Sequence, residues 1–318
     1  MRSRLVMLLS VAIATLSVVI TAGRFTLVPS KPTPVHAMLQ PVLGSYLGVY
    51  EPGSQAAYRP IAEFAATAGR EPNIAEYFSG WAEQFDTSFA MTLHAHGVTP
   101  FVEIDPTDAS MAAIAAGDYD DYLRSYADAV ADYGHPVVIG FAHEMNATWY
   151  PWGYEHVSPA TFVAAWRHLV TVFRQEGADN VTWLWTVQAD GKGTGPIEAW
   201  WPGAQYVTWV GVDGFYYRPS DTFNVVFGPT IAQLRTFSIK PILLAETAVG
   251  PAAGQFTKIQ DLFHGIVADK TLGLVWFDVA QHDGAFHQDW RIEDSQAAAF
   301  SFKLGVRDDL ASATSGGT

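Results

Sequence analysis

The chain carries no cysteine in its 318 residues, and only 18 Lys and Arg against 32 Asp and Glu, for a formal net charge of −14. Without cysteine the core has to be stable with no disulfide, although the N-terminus has the features of an export signal and export permits disulfides. The shortage of cations argues against nucleic acid, whose readers carry a basic patch. The first apolar run and its continuation, YLGVYEPGSQ, contain neither GxGxxG nor GxxxxGK[ST], which leaves a nucleotide site unsupported. No Gly-x-Ser-x-Gly elbow occurs, so a serine hydrolase is unsupported as well. No second domain is visible, and no internal repeat beyond a strand–helix unit.

Long apolar runs are confined to the start of the chain. Arg2 and Arg4 precede an uncharged stretch from Leu5 to Gly23. Residues 1–24 therefore read as a signal peptide or a membrane anchor through residues 5–23, with the domain secreted or held on the extracellular face of the membrane. Residues 25–44, rich in proline, read as a linker, residues 45–308 as a single domain, and residues 309–318 as a frayed tail. What is abundant is aromatic: 11 Trp, 13 Tyr and 19 Phe. Most serve packing, and Trp beside polar residues suits sugar stacking.

From Tyr46 onward, short apolar runs alternate with amphipathic stretches. The runs occupy residues 46–52, 74–81, 99–106, 136–146, 181–190, 209–217, 241–249 and 272–280. Near-continuous apolar strands imply burial on both faces, as in a parallel sheet. Eight such units in about 260 residues fit a single-domain α/β (β/α)₈ TIM barrel better than a doubly wound open sheet. The helical stretches include one continuous pattern from Met111 to Gly134 and one opened by Ser158 and Pro159, an N-cap followed by a first-turn proline. The crossover after the fifth strand, IEAWWPG, is short.

In such a barrel the chemistry sits at the C-terminal ends of the strands. Glu144 and Glu246 end the runs VVIGFA and PILLA with a charge, which costs several kcal/mol unless it is paired or hydrogen-bonded. The plain alternative is a pair of buried ion-pair partners. Yet the neighbours are Trp, Tyr, His and Asn, and neither strand end has an adjacent Lys or Arg. Two glutamates on opposed strands are what glycoside hydrolysis requires: one kept protonated by apolar surroundings, the other ionised for attack. His94 and His96 face different sides of a helix, so no metal site is expected there. His282, Asp283, His287 and Asp289 follow the eighth strand and suit either a cation or the lining of a cleft, with Trp290 available to stack on a distal sugar. Asp190 and Asp278 serve either as binding groups or as loop caps, and Asp118–Asp121 start a solvated helix.

The segment His143-Glu144-Met145-Asn146, followed by Trp149 and Pro151-Trp152, resembles the acid/base segment of glycoside hydrolase family 26. The runs WVGVDGFYY, PILLAETAVG and VWFD are similar to that family's strands six, seven and eight, so that the resemblance extends from about Tyr46 to Val306. It implies that Glu144 is the general acid/base and Glu246 the nucleophile of a retaining enzyme. It further implies that His143 bonds near the nucleophile or the bound sugar, Trp149 lines the site, Tyr216 orients Glu246 unless Tyr217 points inward instead, and Trp276 forms the floor under the reacting sugar. Trp81 and Glu103 would contact substrate. Each aromatic has core packing as its alternative role. Strand three, FVEIDP, lacks the Trp or His that many mannanases carry, Ala147 stands where Gly commonly follows the motif, and Ala248 replaces the usual Gly after Glu246-Thr247.

The expectation is thus an exported monomer that cleaves β-1,4-linked mannan with retention and needs no cofactor or metal. Its partner is a β-linked polysaccharide or oligosaccharide. Mixed-linkage β-glucan or an exopolysaccharide of the cell's own is the alternative substrate, and a non-catalytic glycan-binding barrel is the alternative class.

Overall fold

A computed structural model describes residues 38–251, 253–281 and 288–310. Eight parallel strands close into a barrel in chain order: β1 Tyr46–Tyr50, β2 Ile74–Gly80, β3 Thr99–Asp105, β4 Val137–Phe141, β5 Val181–Gln188, β6 Trp209–Tyr216, β7 Ile242–Val249 and β8 Gly273–Phe277. The outer ring comprises α1 Arg59–Ala68, α2 Thr87–Ala95, α3 Met111–Ala116, α4 Asp120–Tyr133, α5 Pro159–Gln175, α6 Phe223–Val226, α7 Gly228–Phe237, α8 Gln255–Ala268 and α9 Gln296–Gly305. The (β/α)₈ expectation holds. The anchor or signal expected over residues 5–23 lies outside the described residues. Among the described residues no helix is long and apolar enough to cross a membrane.

Two local differences have plain causes. The stretch expected as one helix from Met111 is two, because Gly117 adopts φ 88° and caps α3 before α4 begins. The fourth strand, expected to run to Asn146, stops at Phe141, since Ala142 and Glu144 take φ 52° and 51° and turn the chain. A single 3₁₀ turn, Glu198–Trp200, is the only helical element between β5 and β6 among the described residues, in keeping with the short crossover. The final helical turn, Val306–Leu310, carries folded chain two residues past the expected boundary and buries Leu310 completely.

Strand parity sorts side chains into two cores. Leu47, Val49, Tyr77, Val102, Ile139, Val187, Val212, Leu244 and Trp276 point outward into the helices. Tyr46, Ile74, Phe101, Val138, Leu184, Trp209, Leu243, Ala245 and Val275 fill the barrel's lower interior, with Leu39 packed against them from the segment before β1. Burial of each such side chain contributes roughly 1.5–3 kcal/mol.

Above that floor the filling changes character. Gly48, Gly140 and Gly211 alternate with Glu76, Glu103, Thr186 and Asp213, all four of them buried. The glycines make the room: a Cβ on Gly140 would lie 2.1 Å from the Glu103 carboxyl, and one on Gly211 would lie 2.3 Å from Thr186 Oγ1. Gly140→Ala should therefore destabilise the fold by about 1–3 kcal/mol through overpacking. Thermal unfolding checks this, and the penalty should largely vanish when Glu103→Ala is present in the same chain.

Candidate functional site

The barrel mouth gathers side chains from seven of the eight strand ends. The turn after β4 supplies the densest group. Ala142 and Glu144, both non-glycine residues in the left-handed region, flank His143; such residues cost on the order of 1–3 kcal/mol each and persist only where their surroundings enforce them. Here the enforcement is visible. Ala142 N donates to Ile104 O at 3.0 Å and Glu144 N to Thr186 O at 3.1 Å, so the turn is pinned to strands on both sides. Asn146 completes the hold: its Nδ2 donates to Gln188 O and its Oδ1 accepts from Gln188 N, both at 2.9 Å.

Glu144 and Glu246 are 6 % and 8 % exposed, enough for one face of each carboxyl to reach the pocket. Trp149, half-exposed, donates its Nε1 hydrogen to Glu144 Oε2 at 2.6 Å. Among the described residues neither carboxyl is paired with Lys or Arg. Burial pushes both above the ordinary carboxylate range. The charge of His143 opposes that rise in both, and the charge of Glu144 adds to it in Glu246, so the two carboxyls feel each other and titrate as a pair.

Glu246 reaches the mouth by a β-bulge. Its strand pairs Val212 with Leu244 but Asp213 with Glu246, leaving Ala245 as an extra residue. Simple alternation would send Glu246 outward with Ile242 and Leu244.

Among the described residues His143 is the one cation set between these carboxyls. Its Nδ1 lies 3.1 Å from Asp105 Oδ1, its Nε2 is 3.0 Å from Tyr150 Oη, and its carbonyl accepts from Trp152 Nε1 at 2.7 Å. Burial alone would lower its pKa. The Asp105 hydrogen bond and the charges of Asp105, Glu103 and Glu246 outweigh it and raise the value to about 10. Tyr150 is itself held by stacking on Trp152, centroids 4.5 Å apart and planes 8° from parallel. Beneath lie Glu76, Glu103 and Asp213, fully enclosed and raised by burial first; the charge of Glu246 adds to the rise in all three, and His143 opposes it in Glu103. Glu103 is pushed to about 8.

A belt of rings surrounds the carboxyls: Tyr50 edge-on to Phe78 at 5.0 Å and stacked on Phe277 at 5.1 Å, Phe277 against Phe215 at 5.6 Å, and Trp290 at 5.2 Å from both Phe215 and Tyr217. This differs from expectation at several residues. Trp276 points outward, edge-on to Phe302 of α9 at 5.0 Å, and Phe277 takes the inward place. Tyr216 also points outward, its hydroxyl bonded to Asp261 of α8 at 3.2 Å, and Tyr217 faces the two glutamates; burial first, and then their charges, raise its pKa. Glu103 sits one layer too deep to touch a substrate, bonded to Thr186 at 3.3 Å, while Asp105 two residues on stands at the rim. Trp81 packs at the edge of the mouth among Tyr119, Tyr122 and Phe141. Trp290 is buried, which removes it as an exposed stacking surface. Asp278 caps Ile292 N at 2.9 Å and Trp276 Nε1 at 3.1 Å, and Asp190 accepts from Thr194 within its own loop, so both are structural caps. His94 stacks on His135 and His96 on Tyr58, confirming that they diverge. His282, Asp283 and His287 lie outside the described residues. Asp105, Tyr150 and Phe277 were absent from the expected site, and Tyr217 stood there only as the alternative to Tyr216. Strand parity signalled Phe277 and Tyr217.

Comparison with known proteins decides the family. The profile described as Glycosyl hydrolase family 26 matches residues 94–303. The chain belongs to that family. Endoglucanase H of Acetivibrio thermocellus is 28 % identical over 271 residues, 80 % of this chain. Mannan endo-1,4-beta-mannosidase A and B of Caldalkalibacillus mannanilyticus is 26 % identical over 116 residues, 33 % of this chain. The matched regions span only 29 % and 22 % of those relatives. Among solved structures, a modular endo-β-1,4-mannanase from Cellulomonas fimi superposes with a TM-score of 0.66 at 16 % identity, over 85 % of this chain and 72 % of that one, a likeness of fold.

The buried charges give this family 26 barrel a pH signature. Glu103 has a folded pKa of about 8 against an ordinary 4.5, so its contribution to stability is full below about pH 4.5 and lost as pH rises through 8. His143, at about 10 against 6.5, contributes fully below about pH 6.5 and loses it as pH rises through 10. Both act in one direction. The melting temperature should fall steadily from about pH 5 to about pH 9. Glu103→Gln should flatten the lower half of that slope in a calorimetric pH series, and a curve that rises with pH would contradict the burial argument.

Proposed function

We propose that this family 26 glycoside hydrolase cleaves an uncharged β-linked polysaccharide with retention, Glu144 acting as acid/base and Glu246 as nucleophile. The observation that carries the reading is the pairing of two glutamates, buried without a basic partner and within each other's electrostatic reach, at the ends of β4 and β7. Two such carboxyls resist ionising together, which lets one member keep a proton while the other is charged. The Trp149 hydrogen bond occupies Glu144 Oε2 and leaves Oε1 to carry that proton toward the glycosidic oxygen. Glu246 attacks the anomeric carbon as the leaving group takes the proton. Glu144, now ionised and still stabilised by Trp149, draws a proton from water, whose oxygen displaces Glu246 from the sugar. Tyr217 and Phe277, with Tyr50 and Phe215, form the apolar wall around the reacting ring. His143, neutralising Asp105, limits how far the nucleophile's pKa rises.

As substrate we put β-1,4- or mixed-linkage glucan first and β-1,4-mannan second. Of the relatives named above, the one similar over most of this chain is an endoglucanase, and the FVEIDP strand lacks the Trp and His common in mannanases. The mannan reading draws support from the mannosidase relative. A panel of lichenan, β-1,4-glucan, mannan, galactomannan and xylan, read by reducing ends and product size, separates the two. Inertness toward all of them, with retained binding, would favour a glycan-binding barrel instead. Secretion or membrane attachment through residues 5–23, and the monomeric state, remain part of this proposal.

Glu144→Ala and Glu246→Ala should each lower kcat on the best polysaccharide by about 10²-fold or more with melting temperature within a few degrees of wild type. Trp149→Phe should cost less, about tenfold in kcat, and should shift the limb of the pH–rate profile that reports Glu144, because one charge-assisted hydrogen bond to it is lost. Near-normal rates in either alanine variant would defeat the assignment of roles.

A further inference from the structure

On the opposite end of the barrel from the mouth, the C-terminal end of α1 meets α9. Ala68, Gly69 and Arg70 form one wall, and Phe300, Lys303, Leu304, Val306 and Arg307 the other, around a groove of about 330 Å³. Helices in this fold run antiparallel to the strands, so a helix C-terminus lies beside strand N-termini, away from the carboxyl-rich site. The groove is chemically the inverse of that site. Three cations converge on it in a chain that has only 18, and no carboxylate is among its lining residues.

Arg70 supplies the anomaly. Its Nη2 is buried and has no hydrogen-bond partner among the described residues. An unsatisfied donor on a buried charged group is costly and rare enough to require an account. Lys303 lies beside it, its stem laid across Gly69 where a Cβ would come within 2.7 Å of Lys303 Cε. It forms no ion pair among the described residues. Arg307 is partly neutralised by Asp308 at 2.6 Å and contributes less. The rest of the lining is apolar, and Phe300 is 59 % exposed, an open aromatic face next to the two free cations.

We infer that this groove binds an amphipathic anion, a carboxylate, sulfonate or phosphate head joined to an apolar body, with Arg70 and Lys303 on the head and Phe300, Leu304, Val306 and Ala68 on the body. The planar guanidinium fork of Arg70 suits an oxyanion held by two oxygens. The volume matches the lower end of small-molecule sites, roughly 300–1,000 Å³. The site is independent of the hydrolytic reading, since none of its residues touches the mouth.

The test uses the full chain titrated with 1-anilinonaphthalene-8-sulfonate, followed by fluorescence, with the uncharged N-phenyl-1-naphthylamine as control. One saturable site is expected, with the neutral dye bound at least several-fold more weakly. Arg70→Gln should raise the dissociation constant about tenfold and Lys303→Gln about threefold, each the loss of a charge-assisted contact. Polysaccharide hydrolysis should be unchanged in both. Arg70 is half-buried, so its variant counts only if it melts like the wild type; Lys303→Gln, on the exposed rim, carries the test otherwise. Equal sulfonate binding by wild type and variants, no binding at all, or equal binding of the neutral dye overturns the inference. Competitors then assign the source. Displacement by hexyl phosphate but not by phosphatidylglycerol vesicles points to a free small anion, displacement by the vesicles to a lipid headgroup, and failure of both overturns the site.

Discussion

The imidazolium of His143 is the one positive charge set among Glu76, Glu103, Asp105, Asp213, Glu144 and Glu246, and the interior above the barrel floor depends on it. A buried carboxylate without compensation is too costly to keep, so most of these groups respond by holding protons. Glu103, at about 8, does so at neutral pH. The imidazolium changes that balance for the nearest groups. It is fixed by Asp105 on one side and Tyr150 on the other, and Tyr150 is in turn clamped by Trp152. Its charge lowers the carboxyls of Glu144, Glu246 and Glu103 against the pull of burial. The aromatic run after the motif therefore acts largely by orienting one ring nitrogen, and only Trp149 touches a glutamate of the pair directly.

Two irregularities in an otherwise regular barrel place the glutamates. On β4 the chain leaves the strand through left-handed conformations at Ala142 and Glu144. On β7 an extra residue, Ala245, turns Glu246 from the helix side to the pocket side. A glutamate facing the outer shell would meet Leu, Ile and Phe side chains of the helices; one facing the mouth has His143 and solvent. The distortion of each strand end is thus offset by moving a charge out of an apolar shell. The deep layer obeys the same economy of space, with glycines at 48, 140 and 211 opening the volume that Val275, Glu103 and Thr186 fill.

Much of this was legible in the residues, and where reading failed the reasons are physical. The eight strands announce themselves because burial on both faces demands continuous apolar runs. Glu144 and Glu246 stand out because a charge at the end of such a run is conspicuous. Trp276 and Tyr216 came from the family resemblance, with Tyr217 left open beside Tyr216, yet two-residue alternation from Val275 and Asp213 puts Phe277 and Tyr217 inward. Parity was enough there. It was not enough for depth: Glu103 and Asp105 share a face, and which of them reaches the rim depends on where the neighbouring strands end. Nor could parity find Glu246, since it would have turned that residue outward; the charge ending an apolar run carried it. Asp105 and Tyr150 owe their place to one ring, His143, and no local pattern marks a partner across two strands.

The charge distribution along the barrel axis has a consequence for what the mouth can accept. Asp105, Glu144 and Glu246 line it and Glu51 stands at the end of β1, while the nearby cations among the described residues are already committed, His143 to Asp105 and Arg291 to Asp289 and Asp294. Burial first pushes both Glu51 and Asp278 up, to about 7 and about 10; the hydrogen bond between them adds to the rise in Asp278 and opposes it in Glu51. A polysaccharide bearing carboxylates or sulfates would add like charge to a region that already suppresses its own, with repulsion undiminished by screening in the enclosed part of the site. A neutral sugar ring brings hydroxyls that donate to those same carboxyls and C–H faces that lie against Tyr50, Phe215, Tyr217 and Phe277. The acidic mouth and the aromatic belt thus favour the same class of ligand: one carries no charge to be repelled, and its ring faces match the wall.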